Sequence, residues 1–276
     1  MSQTMLGYKE QDSPIHRLTG TTKLILLLML ILTAMLTYDT RVLLATFGVS
    51  IIAFKCSKIK FKEVAVVSTF ILIFLGVNAL AIFIFSPLQG VEIYGTKHDI
   101  VHIAGPYVLT WEQLFYEFNV VLKYISVIPM ALLFMVATHP SEFAASLNRI
   151  GVSYKLAYAV AIALRYIPDI QRDYQDIAFA QQARGLDLSK KEKLMTRIKN
   201  MTTVLTPLIF ASLERIETIS CAMELRAFGS QPKRTWYSAK AFTKYDYLVI
   251  GGSVAFFIWG MWLTFSNGTR FYNPFI

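Results

Sequence analysis

The run Val64-Ala65-Val66-Val67-Ser68-Thr69-Phe70-Ile71-Leu72-Ile73-Phe74-Leu75-Gly76-Val77-Asn78-Ala79-Leu80-Ala81-Ile82-Phe83-Ile84-Phe85 contains no charged side chain. About 20 mostly apolar residues suffice for a helix to cross the hydrocarbon core of a bilayer. This run therefore predicts a membrane span. Four further apolar stretches lie on either side of it, at about Thr22–Tyr38, Val42–Phe54, Leu114–Ala137 and Tyr247–Phe265. Only Tyr38-Asp39-Thr40-Arg41 separates the first two, which predicts a tight helical hairpin whose members are tilted or incompletely spanning. The expected fold is an all-α integral membrane protein with about five transmembrane helices.

Composition agrees with that class. Of the 276 residues, 55% are hydrophobic and only 16% charged, whereas soluble domains carry about 25% charged residues. Lys and Arg number 27 against 18 for Asp and Glu. In a soluble chain such an excess points to nucleic acid; beside long apolar runs it points to basic loops on one side of a membrane, with no nucleic-acid partner. The Lys55–Lys62 loop and the stretch from His139 to Lys244 are rich in Lys and Arg, whereas Ser86–Thr110 holds only Lys97. The positive-inside rule places the basic regions in the cytoplasm, the N-terminus with them and the C-terminus outside. No small-residue cleavage site follows the first apolar run, which reads as a retained span. Cys56 and Cys221 form no CxxC or Cys/His cluster, so free thiols and no structural metal are expected.

The 86–110 loop contains the β-prone pieces Val91-Glu92-Ile93-Tyr94 and Ile100-Val101-His102-Ile103, set between glycines, and predicts a small hairpin. His98 and His102 stand four apart but outside a helical pattern. That favours a solvated pair over metal ligands.

The segment from Pro140 to about Gly229 is too helical for a loop and too charged for a span. It predicts a cytoplasmic region, 139–244, between a membrane domain at 1–138 and a final span at 245–276. Three helices are expected. A short one starts at His139-Pro140-Ser141-Glu142 and stops at Gly151. A second runs from an N-cap at Ser153 to Arg184, with Gly185 as its stop. A third runs from about Lys190 to Arg226, ending near Gly229 and Pro232.

The second helix carries an apolar stripe of Ala163, Ile167, Ile170, Tyr174 and Ile177 opposite Arg165, Asp169, Arg172, Asp173 and Asp176. On the third, Leu194, Ile198, Leu205, Leu208 and Ile209 share an apolar side. Proline cannot donate to the preceding turn, so both long helices should bend, at Pro168 and Pro207. Each also ends in Ala-x-x-x-Arg: Ala180-Gln181-Gln182-Ala183-Arg184-Gly185 and Ala222-Met223-Glu224-Leu225-Arg226-Ala227. An arginine there meets the negative end of the helix dipole and can form a bidentate bond to a carboxylate of another protein. Two such ends read as two plugs for two sockets.

These residues resemble the transmembrane (T) component of energy-coupling-factor transporters, which carries two Ala-Arg-Gly motifs, each ending a long coupling helix. Ala183-Arg184-Gly185 matches the first in full. The surrounding residues match as well: His139-Pro140-Ser141-Glu142-Phe143, Arg149-Ile150-Gly151-Val152 and Leu164-Arg165-Tyr166-Ile167-Pro168. The second site, Leu225-Arg226-Ala227, keeps the arginine but has Leu and Ala where the family usually has Ala and Gly; Gly229 offers a later stop. His16-Arg17-Leu18 leading to Lys23-Leu24 is similar to the family's opening.

The resemblance implies a prokaryotic plasma-membrane importer. Two ABC ATPase subunits, which hold ATP and Mg, would grip Arg184 and Arg226 with their neighbours. The apolar faces around Ala163, Ile167, Ile170, Leu205 and Leu208 would support a small membrane S component that binds a vitamin or similar micronutrient. This chain would be non-catalytic and hold no cofactor.

Other readings remain open from the residues alone. A T component of a cobalt or nickel importer fits the same motifs. An ordinary ABC permease would need a polar substrate path, and the spans offer little, Asn78 in the third and Lys123 with Asn119 near the start of the fourth; Asn78 reads as a helix–helix contact and Lys123 as a snorkelling cation. A membrane enzyme would use Asp169, Asp173 and Asp176 to hold Mg²⁺. However, Arg165 and Arg172 stand at spacings that neutralise them, and no GxxxxGK[ST] loop for ATP is present.

Overall fold

The computed structural model describes residues 11–104, 107–186, 194–231, 234–266 and 269–275. It divides into two compact units, Met1–Phe143 with Lys240–Ile276, and Ala144–Ala239. The first contains α1 (Pro14–Arg17), α2 (Gly20–Leu36), α3 (Thr40–Cys56), α4 (Phe61–Phe85), α5 (Gln89–Tyr94), β1 (Asp99–Ala104), β2 (Tyr107–Thr110), α6 (Trp111–Ala137) and α10 (Lys244–Ser266). The second contains α8 (Tyr154–Ala183) and α9 (Leu194–Leu225); α7 (Pro140–Arg149) begins in the first unit and ends in the second. Val64–Phe85, Trp111–Ala137 and Lys244–Ser266 are each long and apolar enough to cross a membrane, and Gly20–Leu36 is a shorter apolar helix. The chain is an all-α membrane protein, with one small hairpin among the described residues.

Local chemistry sets the helix starts. Thr19 Oγ1 accepts from Thr22 N at the head of α2, Asp39 from Arg41 N at the head of α3, and Thr110 from Gln113 N at the head of α6. Asp39, within the expected hairpin turn Tyr38–Arg41, is thus the N-cap of α3.

α6 is the central helix of this unit and packs against α2, α3, α4 and α5. Leu27 and Leu30 of α2 meet Met130, Leu133 and Ala137 of α6, and Ala34, Leu43 and Leu122 form a second cluster. α4 touches α6 chiefly near Val64. Most of its length is exposed, including Phe70, Phe74, Leu80 and Phe85. A helix apolar all round and exposed to its surroundings is what lipid contact demands. Asn78 is half-buried on it.

Two lysines tie α2 and α6 together reciprocally. Lys23, buried at the start of α2, donates to the Ala137 carbonyl at the end of α6 (2.7 Å). Lys123 of α6 donates to the Met35 carbonyl near the end of α2 (3.0 Å), with its ammonium over the Tyr38 ring. Each cation therefore satisfies an orphan carbonyl at the negative end of its neighbour. Lys123, read from the sequence as a snorkelling cation, has its ammonium held by this carbonyl and ring. Lys23, just inside the first apolar run, was not predicted to be buried.

α10 is anchored at its head by Asp246, which is fully buried. Its carboxylate accepts from Thr19 N, Thr19 Oγ1 and Thr22 Oγ1 (2.9, 3.1 and 2.7 Å) and from Thr243 N and Oγ1 (2.8 and 2.7 Å). A buried carboxylate is tolerable only with such compensation. Near the other end, Thr37 and Thr264 share a hydrogen bond of 2.7 Å.

The 86–110 loop corrects one expectation. A hairpin is present, but β1 pairs with β2, while Val91–Tyr94 belongs to α5. Tertiary contacts override the β-propensity of Val91 and Ile93. The Gly90 amide donates to Gln113 Oε1 (2.9 Å), and Gly95, at φ 71°, closes the helix. His98 donates through Nδ1 to buried Glu112 (2.6 Å), whereas His102 faces Asp99 (3.4 Å). The two histidines thus serve different carboxylates. The C-terminal segment folds over the same end: Asn273 donates to the Tyr94 carbonyl (3.1 Å), and Phe275 packs on Tyr94, His98 and Phe115. Burial pushes the Tyr94 phenol up to about 12.

Candidate coupling site: two arginine helix tips

The helices of the second unit end by one device, used three times. At the end of α7, Val152 N donates to Leu147 O (3.0 Å) and Gly151 N to Asn148 O (3.2 Å), with Gly151 at φ 108°. At the end of α8, Leu186 N donates to Gln181 O (3.1 Å) and Gly185 N to Gln182 O (2.9 Å), with Gly185 at φ 91°. At the end of α9, Phe228 N donates to Met223 O (2.9 Å) and Ala227 N to Glu224 O (2.8 Å), with Ala227 at φ 49°. These are Schellman caps, which place a left-handed residue just past the helix. Arg184 and Arg226 occupy the same position in theirs, immediately before the left-handed residue.

The second tip therefore has the same backbone as the first although it lacks the family's glycine. Gly229 is not the substitute stop: Ala227 itself takes the left-handed conformation, and Gly229, at φ 94°, extends the turn beyond it. Bracing holds the unfavourable alanine there. Arg234 Nη2 donates to the carbonyls of Arg226 (3.1 Å) and Ala227 (2.9 Å), and its guanidinium lies over Phe228. Phe228 packs on Tyr154 and Tyr158 at the start of α8, Tyr158 meets Trp236, and Trp236 Nε1 donates to Asn148 Oδ1 (3.1 Å). Sequence reasoning missed Phe228, Arg234 and Trp236. The available signal was an aromatic residue just past the cap, the usual place for a cap's hydrophobic contact.

Ala183, Arg184, Gly185, Leu225, Arg226 and Ala227 are all exposed. Among the described residues, neither tip guanidinium meets a carboxylate. α8 begins as expected, with Ser153 Oγ accepting from Leu156 N, and both helices run unbroken through Pro168 and Pro207. The expected start of α9 at Lys190 and the stop at Pro232 lie outside the described residues.

α8 and α9 are antiparallel. Phe228, past the end of α9, stacks on Tyr158, while Arg215, earlier in α9, bonds Asp173, later in α8. Arg226 therefore lies beside the start of α8 and Arg184 at its end. Across 30 residues at a rise of about 1.5 Å, the tips stand on the order of 40 Å apart.

The predicted apolar faces divide. Ala163, Ile167, Ile170 and Leu205 are exposed, whereas Leu208 is buried with Val204. Leu156, Ile198, Met201, Ile209, Phe210, Leu213 and Ile216 are exposed as well.

The aspartates do not gather into one cluster among the described residues. Asp173 accepts from Arg215 of α9 at 2.6 Å, and Asp169 pairs with Arg172 at 3.7 Å. Asp176 is exposed, and no group of three or more His, Cys, Asp or Glu side chains is gathered among the described residues. The neutralising partner of Asp173 thus comes from the neighbouring helix rather than from Arg165 or Arg172 of its own.

A protein-family model described as CbiQ, cobalt transport protein, matches residues 11–237. The chain is 28% identical to the energy-coupling factor transporter transmembrane protein EcfT of Leuconostoc gelidum, over 95% of this chain and 99% of that protein. It is 29% identical to EcfT of Heliobacterium modesticaldum, over 89% of this chain and 91% of the relative. Over a shorter stretch, 41% of this chain and 45% of the relative, it is 35% identical to EcfT of Acidaminococcus fermentans. With this similarity running through both units, the chain belongs to the CbiQ family and is a transmembrane component of an energy-coupling-factor transporter.

Proposed function

We propose that this chain is the non-catalytic coupling subunit of an importer, carrying ATP-driven motion of two ABC ATPase subunits to a small substrate-binding S component. The observation that carries this reading is the pair of identically capped helix ends, each presenting one exposed arginine, about one helix length apart. That spacing suits two sockets on two subunits. Arg184 and Arg226, with Ala183, Gly185, Leu225 and Ala227, enter grooves in the ATPases and bond carboxylates there. ATP and Mg stay on the ATPases, and this chain binds no cofactor. The exposed face containing Ala163, Ile167, Ile170 and Leu205 carries the S component, which chooses the substrate, a vitamin or similar micronutrient. Pro168 and Pro207 give both helices a point of bending.

The protein lies in the prokaryotic plasma membrane, with α2, α3, α4, α6 and α10 as five crossings. The basic region 139–244 and the N-terminus face the cytoplasm, and the C-terminus lies outside. The family's description as cobalt transport favours a second reading of the substrate alone, cobalt or nickel instead of a vitamin.

Arg184→Glu tests the proposal. Reversing a charge at a bonded interface costs about 2–5 kcal/mol. Uptake should fall by more than tenfold while substrate still binds the S component. Wild-type uptake by this variant at equal assembly would refute it. Competition of the uptake by Co²⁺ or Ni²⁺ separates the two substrates.

A further inference from the structure

Asp173 and Arg215 are set where the two long helices touch. The carboxylate of Asp173 on α8 accepts from Arg215 Nη2 of α9 at 2.6 Å, both side chains are about one-third exposed, and the guanidinium lies 5.8 Å from the Tyr166 ring. The cleft around them is open and lined also by Asp169, Arg172, Thr218 and Ile219. Each member of the pair stands beyond its helix's proline: Asp173 follows Pro168 and leads to Arg184, and Arg215 follows Pro207 and leads to Arg226. The pair therefore joins the two helices at a point that lies, on each, between its proline and its arginine tip. Hydrophobic contact between two helices resists sliding weakly, because it is not directional. A charge-assisted bond from a planar guanidinium has a fixed geometry and resists it.

We propose that Asp173 and Arg215 are positioning residues for transport, a clasp that makes α8 and α9 move as one lever. A push on one tip is then delivered to the whole hairpin. Without the clasp, each helix bends at its own proline, Pro168 or Pro207, and the stroke is lost as bending. The inference rests on the coupling role proposed above and adds the part of the chain that keeps the coupling stiff. Asp169, one turn from Asp173 on the same face and held by Arg172 at 3.7 Å, is not the clasp, because Arg215 bonds Asp173.

The test uses the assembled transporter reconstituted in vesicles, with substrate uptake and ATP hydrolysis measured on the same preparation. Asp173→Arg and Arg215→Asp, each alone, should lower uptake per ATP hydrolysed at least tenfold. The double exchange Asp173→Arg with Arg215→Asp rebuilds the pair with opposite polarity and should recover at least half of the wild-type ratio. The neutral pair Asp173→Asn with Arg215→Gln leaves no unpaired charge, so it assembles even where the single variants do not, and its ratio should fall severalfold. Two results overturn the clasp: a wild-type ratio in the neutral pair, or a double exchange no better than the worse single variant. Failure of the coupling role itself is read separately, as wild-type protein that recovers no ATPase subunits on purification.

Discussion

Ala227→Gly should tighten the second arginine tip, and Gly185→Ala should loosen the first by a similar amount. Ala227 sits at φ 49°, where an L-residue with a Cβ pays about 1–2 kcal/mol that glycine does not. Glycine gives back about 0.5–1 kcal/mol through the greater freedom of the unfolded chain. The net gain is about 0.5–1 kcal/mol for Ala227→Gly. Gly185 occupies φ 91° in the equivalent cap, so Gly185→Ala runs the same balance backwards. The amides that report it are fixed by the structure: Ala227 N and Phe228 N at the second tip, Gly185 N and Leu186 N at the first. Local opening sets their hydrogen exchange. Exchange across 223–230 should slow about twofold to fivefold in Ala227→Gly, and exchange across 181–186 should quicken by a similar factor in Gly185→Ala. If Ala227→Gly exchanges as fast as wild type or faster, the left-handed alanine is not under strain and the account of the second tip is wrong.

Two further substitutions probe the membrane unit. Asp246→Ala strips the acceptor from Thr19, Thr22 and Thr243 in a fully buried site, and should cost about 3 kcal/mol or more through unpaired donors, read as a lower melting temperature of the detergent-solubilised protein. Gly90→Ala would set a methyl carbon 2.4 Å from the Glu112 carbonyl oxygen, which backbone cannot yield without displacing α5; overpacking of this kind costs about 1–3 kcal/mol, and faster exchange across 89–95 with α8 unchanged should report it.

The sequence revealed features decided within a few residues. Ser153 and Gly185 mark the two ends of α8 because a cap is chosen by the side chain at that position and by the need for positive φ. The long apolar runs reveal α4, α6 and α10 for the equally simple reason that a bilayer demands length and apolarity together. What stayed hidden depends on residues far apart in the chain. Val91–Tyr94 reads as a strand by propensity, and the docking of Gly90 on Gln113 makes it a helix. Asp173 has arginines nearby in sequence, yet its partner, Arg215, is 42 residues away. Lys23 reads as a flank of the first span, but the carbonyl that welcomes it ends α6. At the second tip, the rule that a left-handed cap wants glycine pointed past Ala227 to Gly229. Bonds from Arg234 and the packing of Phe228 on α8 hold the alanine in place instead.

The coupling role is tested most directly by asking what lies beside each arginine in the assembled transporter. Cys56 and Cys221 are exposed and free, so both are first replaced by serine, and a single cysteine is then introduced at Ala183 or at Leu225. A short bifunctional thiol reagent, followed by mass spectrometry of the adducts, should join each position to an ATPase subunit, with yield that changes between the nucleotide-free and ATP-bound complexes. Adducts with no ATPase from either position, or labelling of either cysteine by a membrane-impermeant reagent added outside intact cells, would contradict the account.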